Sequence, residues 1–103
     1  MAKKLNLEDR VVVVTGGGRG IGREIALMAA AEGAAVVVND FGGSTSGEGA
    51  DQGPAHEVVE AIKAAGGRAA ANTDSVADPN GAKRIIETAM DSFGKVDGVV
   101  NNA

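Results

Sequence analysis

The sequence predicts an α/β fold, a doubly wound parallel sheet in which four short strands alternate with three helices. Three observations predict it. Val11 to Val14 is a β-branched run without polar alternation, as expected of a strand buried on both faces, and it leads straight into a glycine cluster. Beyond the cluster, short strand-like runs alternate with longer stretches whose apolar residues recur at helical spacing. Each helical stretch closes on glycine, at Gly33, at Gly66-Gly67 and at Gly94.

The elements follow in order. Ile21, Ile25, Met28 and Ala29 carry the spacing of the first helix, and Ala35 to Asn39 repeats the strand pattern. Pro54 opens the second helix, where Ala55, Val58, Val59, Ile62 and Ala65 trace one face. Ala69 to Asn72 is the third strand, marked faintly because alanine is a poor strand former. Asp78 and Pro79 read as N-cap and first-turn residue of the third helix, with Ala82, Ile85, Ile86, Ala89 and Phe93 inward. Val96 to Asn101 is the fourth strand. Strands joined by helices of this length run parallel through right-handed crossovers. The expected strand order is 3-2-1-4, which puts a ligand crevice at the carboxyl ends of strands 1 and 4, where the order reverses. The link from Phe41 to Gly53 exceeds the usual length of about 2–6 residues and reads as a solvated, glycine-rich insertion or, in the alternative, as a loop that contacts substrate or cofactor. It contains no GK[ST], which excludes a nucleoside-triphosphate P-loop.

Composition narrows the function. At 103 residues and 44% hydrophobic, the chain suits one domain with a modest core. A formal charge of −4, with its basic residues scattered, argues against nucleic acid and anionic membrane as partners. No cysteine means no disulfide and no thiolate metal site, and a reducing compartment, the cytoplasm, is expected. No apolar stretch approaches the roughly 20 residues of a membrane span, and MAKKLNLEDR lacks the apolar core of a leader peptide. His56 is the only histidine, so no metal site is expected around it.

The residues that carry chemistry are Thr15-Gly16-Gly17-Gly18-Arg19-Gly20-Ile21-Gly22, where the first strand turns into the first helix. Gly16, Gly18, Gly20 and Gly22 let the main chain pass close to a pyrophosphate, whose charge is met by free N–H groups and the positive end of the helix dipole. Asp40 closes the second strand, where a carboxylate can accept hydrogen bonds from both hydroxyls of an adenosine ribose. Read alone, Asp40 and the pair Asp74-Ser75 are also ordinary strand-end turn residues.

Taken together, TGxxxGIG at this place, Asp40, Asp74-Ser75-Val76 after the third strand and Asn101-Asn102-Ala103 after the fourth resemble the short-chain dehydrogenase/reductase family. The resemblance implies a Rossmann-type fold and a dinucleotide cofactor, with Arg19 and Ile21 inside the phosphate turn. It implies an adenine contact from the Asp74 side chain and the Ser75 backbone, and a backbone at Asn101 and Ala103 running beside the cofactor. Within the family, VVVNDFGG, AIKAAGGRAAANTDSV and FGKVDGVVNNA are most similar to the dehydrogenase domains of type 2 peroxisomal multifunctional enzymes and their bacterial relatives, which act on 3-hydroxyacyl-CoA with NAD. NAD is expected over NADP, because Asp40 would repel a 2′-phosphate. Arg19 is the opposing signal, and it is long enough to pair with Asp40 instead.

The family's hydride transfer depends on Ser, Tyr and Lys beyond the Asn-Asn-Ala motif. This chain has no Tyr, and Ser44, Ser46, Ser75 and Ser92 lie elsewhere, so no catalytic residue is assigned. Residues 1–103 are expected to form a single incomplete domain, the first part of a longer oxidoreductase with a small-molecule substrate, because a domain boundary should not fall inside this motif. The alternative is a self-contained, non-catalytic nucleotide-binding module. The fourth strand is expected to keep an unpaired, apolar edge, and with it a tendency to form homo-oligomers.

Overall fold

The computed structural model describes residues 6–41 and 53–103. Its elements are β1 (Val11–Thr15), α1 (Gly20–Ala31), β2 (Ala35–Asn39), α2 (Gly53–Ala64), β3 (Arg68–Asn72), α3 (Pro79–Phe93) and β4 (Gly98–Asn101). The strands form one parallel sheet in the order β3-β2-β1-β4, as the sequence predicts. The link at 42–52, read above as an insertion, lies outside the described residues.

The valine runs fill two cores because successive strand residues face opposite sides of the sheet. Val14, Val36 and Val38 pack with Ala26 and Ala29 of α1 and with Val58, Val59 and Ile62 of α2. Val11, Val13, Ala35 and Val37 pack on the other face with Ile85 and Ala89 of α3. Enclosing such a valine contributes roughly 1.5–3 kcal/mol relative to leaving it in water, so the central strands anchor the fold.

Local readings shift in four places. The fourth strand starts at Gly98 rather than Val96, because the Asp97 carboxylate takes the Val11 N–H at 2.7 Å and ends that stretch as a side-chain cap on β1. On α1 the residues turned to the sheet are Gly22, Ala26 and Ala29, while Ile21 and Met28 are exposed. Close approach of the helix to the first strand's end demands small residues there. On α3, Gly81 joins Ile85 and Ala89 in the buried stripe, and Ala82 and Ile86 face outward. Ala65 of the second predicted face is exposed as well, just past the end of α2.

Among the described residues β4 pairs only with β1. Val99 stands 52% exposed on it. Beside it a groove of about 400 Å³ runs between α1 and the sheet, lined by Leu7, Val12, Ile25, Met28, Val99 and Val100. No helix among the described residues is long and apolar enough to cross a membrane.

Candidate functional site

The carboxyl end of the sheet gathers the residues singled out above. After β1 the chain turns at Gly16, whose φ of +64° lies in the left-handed region, and enters α1 through Gly20 at φ +56°. Gly17 donates its N–H to the Asn39 carbonyl at 2.8 Å, which ties the turn to the end of β2. A side chain at Gly22 would strike the Gly16 carbonyl and crowd the Asn102 amide, so glycine here is required by the close passage of the helix over the turn. At Gly20 the opposite holds. Among the described residues no atom lies within 4 Å of where its side chain would begin. Arg19, the N-cap residue, makes no side-chain cap hydrogen bond, so the start of α1 is not closed by its own cap residue. The result is an open, electropositive helix start behind a side-chain-free turn.

Asp40 borders this opening. It follows β2 directly and donates its own N–H to the Asn72 carbonyl at 3.0 Å. Its carboxylate accepts the Gly18 N–H at Oδ2, 3.1 Å, and Arg19 Nη2 at Oδ1, 3.1 Å. The Asp40 side chain is 8% exposed and that of Arg19 is 59% exposed. Gly18 is thus placed by packing as well as by the turn, for a side chain there would run into Asp40 Oδ2 and Pro54. The sequence alternative of an Arg19–Asp40 pair is the arrangement present.

A second polar group lies after β3. Asn39, buried at 1% exposure, donates from Nδ2 to Asn72 Oδ1 at 2.9 Å and to the Asp74 carbonyl at 2.8 Å. Asn72 donates in turn to Asp74 Oδ2 at 2.9 Å and Thr88 Oγ1 at 3.0 Å. Arg84 of α3 donates its Nε–H to Asp74 Oδ1 at 2.7 Å. That Arg84 hydrogen bond, aided by Asn72, holds the Asp74 carboxyl below its ordinary value against the opposing effect of partial burial. Gly81 lets α3 lie directly on this loop, because a side chain there would meet the Ser75 carbonyl. Asp74 and Ser75 are therefore fixed as an ionised acceptor beside a braced backbone.

Thr15 joins the ends of β1 and β4. Its hydroxyl accepts the N–H groups of Asn102 at 3.0 Å and Ala103 at 3.2 Å and donates toward the Val100 carbonyl at 3.3 Å. Asn102 Nδ2 reaches the Gly16 carbonyl at 3.3 Å. The stretch from Asn101 to Ala103 is held beside the glycine turn by these bonds, with the Asn101 and Ala103 side chains exposed.

The glycine turn, Asp40 and the Asn101–Ala103 stretch come together directly, and the Asn39–Asn72 amides link Asp74 to the end of β2. Asn39, Asn72 and Arg84 carry no site signal in the sequence, and Thr15 appears there only as the first residue of the glycine motif. Each acts through a partner distant in sequence, although an amide at the end of an otherwise apolar strand, as at Asn39, is the kind of residue that needs such a partner. Among the described residues no group of acidic, histidine or cysteine side chains could hold a metal ion.

Comparison with known proteins agrees with this fold. The family model described as short chain dehydrogenase matches residues 10–103. A short-chain type dehydrogenase/reductase of Mycobacterium tuberculosis is 60% identical over 97 residues, which cover 94% of this chain and 34% of that protein. Peroxisomal multifunctional enzyme A of Dictyostelium discoideum is 58% identical over 99 residues, covering 96% of this chain and 22% of that protein. The solved structure of a 7α-hydroxysteroid dehydrogenase, complexed with NADH and 7-oxo glycochenodeoxycholic acid, superposes with TM-score 0.85 at 34% identity, over 100% of this chain and 38% of that one. The chain spans about a third or less of the length of these curated relatives.

Proposed function

The chain belongs to the short-chain dehydrogenase family, and on that premise we propose that it is the dinucleotide-binding part of an oxidoreductase that transfers a hydride between NAD and a secondary alcohol or ketone. The observation that carries this reading is the open start of α1 behind Gly20, bordered by the Asp40 carboxylate. Gly16, Gly18, Arg19, Gly20, Ile21 and Gly22 would hold the pyrophosphate, which backbone N–H groups and the helix dipole neutralise without a metal. Asp40 would accept the adenosine ribose hydroxyls, Asp74 and Ser75 would meet the adenine, and Asn101 and Ala103 would run beside the cofactor. Bound nicotinamide supplies the hydride acceptor or donor. The chain's own residues bind and orient; none of them is assigned to proton transfer. NAD is favoured over NADP because a 2′-phosphate would sit against the Asp40 charge.

The substrate class proposed is 3-hydroxyacyl-CoA, supported by the similarity to a peroxisomal multifunctional enzyme. Cytoplasmic placement rests on the cysteine-free composition alone, and that relative is named peroxisomal. Homo-oligomer formation is proposed from the exposed Val99 and the apolar groove beside it. A second reading is a nucleotide-binding module without catalysis.

The test uses the protein as its gene encodes it. NADH fluorescence should rise saturably with added protein and fall again with ADP-ribose, and NAD should be reduced when 3-hydroxyacyl-CoA or secondary alcohols are supplied. Binding without turnover would favour the module, and no binding would contradict both readings.

A further inference from the structure

We propose that Arg19 sets how strongly this chain takes an adenosine ribose, by competing with the ribose hydroxyls for the Asp40 carboxylate. The proposal rests on the dinucleotide reading above and goes beyond it in giving Arg19 an opposing role toward the ribose.

The two oxygens of Asp40 are unlike in access. Oδ2 faces the backbone: the Gly18 N–H donates to it at 3.1 Å, and a side chain at Gly18 would come within 2.8 Å of it and 2.7 Å of Pro54 Cβ. That side is closed by main chain and by the start of α2, neither of which can withdraw cheaply. Oδ1 is held by Arg19 Nη2 at 3.1 Å. This partner is the exposed one, a long side chain 59% exposed over a carboxylate 8% exposed. Among the described residues, the side on which a ribose would reach Asp40 is therefore the Arg19 side.

Arg19 also stands at an unusual place for such a residue. It is the N-cap of α1, with extended backbone at φ −148° and ψ 156°, and its side chain makes no cap hydrogen bond. Ser, Thr, Asp or Asn at an N-cap turns back on the first helical turn. Arg19 reaches sideways to the end of β2 instead. A carboxylate has about four lone-pair positions, so Arg19 need not leave altogether when a neutral hydroxyl arrives. Engaging the diol still replaces or weakens a charge-assisted hydrogen bond with a neutral one, which is the weaker of the two. Ribose affinity is thereby lowered by the strength of the pair that has to yield.

The sign of this effect separates it from a simple contact. An arginine that only touches the cofactor would weaken binding when replaced, whereas a competitor strengthens it. Adenosine and 2′-deoxyadenosine are suitable probes, because neither carries a phosphate on which the Arg19 charge could act. Titrated by NMR against the protein as its gene encodes it, the preference for adenosine over 2′-deoxyadenosine should widen about fivefold in Arg19→Gln, equivalent to about 1 kcal/mol. Arg19→Lys, which keeps a cation, should stay near the parent. In Asp40→Ala the preference should collapse toward unity, with or without Arg19→Gln. An unchanged or narrowed preference in Arg19→Gln, or a preference that survives Asp40→Ala, would overturn the proposal. NADH titrated in parallel distinguishes the two failures: NADH bound normally with no ratio change sinks the competition alone, while no NADH binding by the parent sinks the site reading and this proposal with it.

Discussion

At the amino end of the sheet, Asp97 accepts the Val11 N–H at 2.7 Å and pairs with Lys95 at 3.1 Å and Arg10 at 3.6 Å. At the carboxyl end, Asp40 accepts the Gly18 N–H at 3.1 Å and pairs with Arg19 at the same distance. The parts are alike: one carboxylate, one backbone N–H and basic side chains, Lys95 and Arg10 at one end and Arg19 at the other. Their surroundings are not. Asp97 closes a seam between β1 and β4, and Asp40 borders a glycine turn where, among the described residues, nothing packs within 4 Å of the Gly20 side-chain position. Asp97 is also held below its ordinary pKa, chiefly by the Val11 N–H and then by Lys95. A depressed carboxyl by itself therefore does not mark a binding site in this molecule, and on the proposed reading it is the neighbouring glycine turn that gives Asp40 its role.

The sharpest way to break the comparison is to add one methyl group at each end. Gly22→Ala puts a Cβ into the Gly16 carbonyl, and it should destabilise the protein by about 1–3 kcal/mol and abolish saturable NADH binding. Among the described residues Gly98→Ala meets nothing packed within 4 Å and has no left-handed φ to strain, so it should lie within about 0.5 kcal/mol of the parent and bind NADH normally. Urea melts and NADH titrations on both variants check this. Equal damage at the two ends would mean that the carboxyl end is merely well packed.

A charge change at each end should separate in the same way. Asp40→Ala should narrow the gap between NAD and NADP by about tenfold or more, chiefly by weakening NAD and relieving NADP. Asp97→Asn should lower the urea midpoint, since the Val11 N–H loses an ionised acceptor, and leave both cofactor affinities within about twofold. Cofactor titrations and urea midpoints of both variants decide it. An Asp97 variant that loses cofactor selectivity would erase the distinction drawn here.

The smallest expected effect is on acid stability. Both Asp97 and Asp74 titrate below the ordinary value of 3.8. A carboxyl whose folded value is depressed contributes stability that is present above the unfolded value, near 3.9, and is lost as pH falls through the folded one. Urea midpoints should therefore hold above about pH 5 and drop below about pH 4, with a shallower drop in Asp97→Asn. A drop as steep in the variant as in the parent would remove Asp97 from the account.

What the sequence displayed well were features whose cause is local. β2 lies at Ala35–Asn39 as read, because a valine run between a helix-stopping glycine and a polar pair has few other solutions, and the strand order follows from crossover handedness. The glycine turn and Asp40 were legible for the same reason. Val96 was read into the fourth strand because nothing near it reveals that Asp97 caps a strand 86 residues earlier. Ile21 and Met28 fall on helical spacing yet face out, since the side of α1 turned to the sheet is fixed by the close approach of Gly22 to Gly16. Thr15, Asn39 and Arg84 gain meaning only from partners that the fold brings to them, as when Arg84 reaches across from α3 to Asp74.

On the proposed reading, the carboxyl end of the sheet is a dinucleotide site whose selectivity is set by Asp40. The most direct test is the ratio of NAD to NADP affinity in the unmutated protein as its gene encodes it, measured by calorimetry at fixed ionic strength. The predicted result is tighter binding of NAD by about one to two orders of magnitude, from the repulsion between Asp40 and a 2′-phosphate less what Arg19 offsets. Equal or tighter binding of NADP would contradict it, and would show that Arg19 rather than Asp40 reads the ribose.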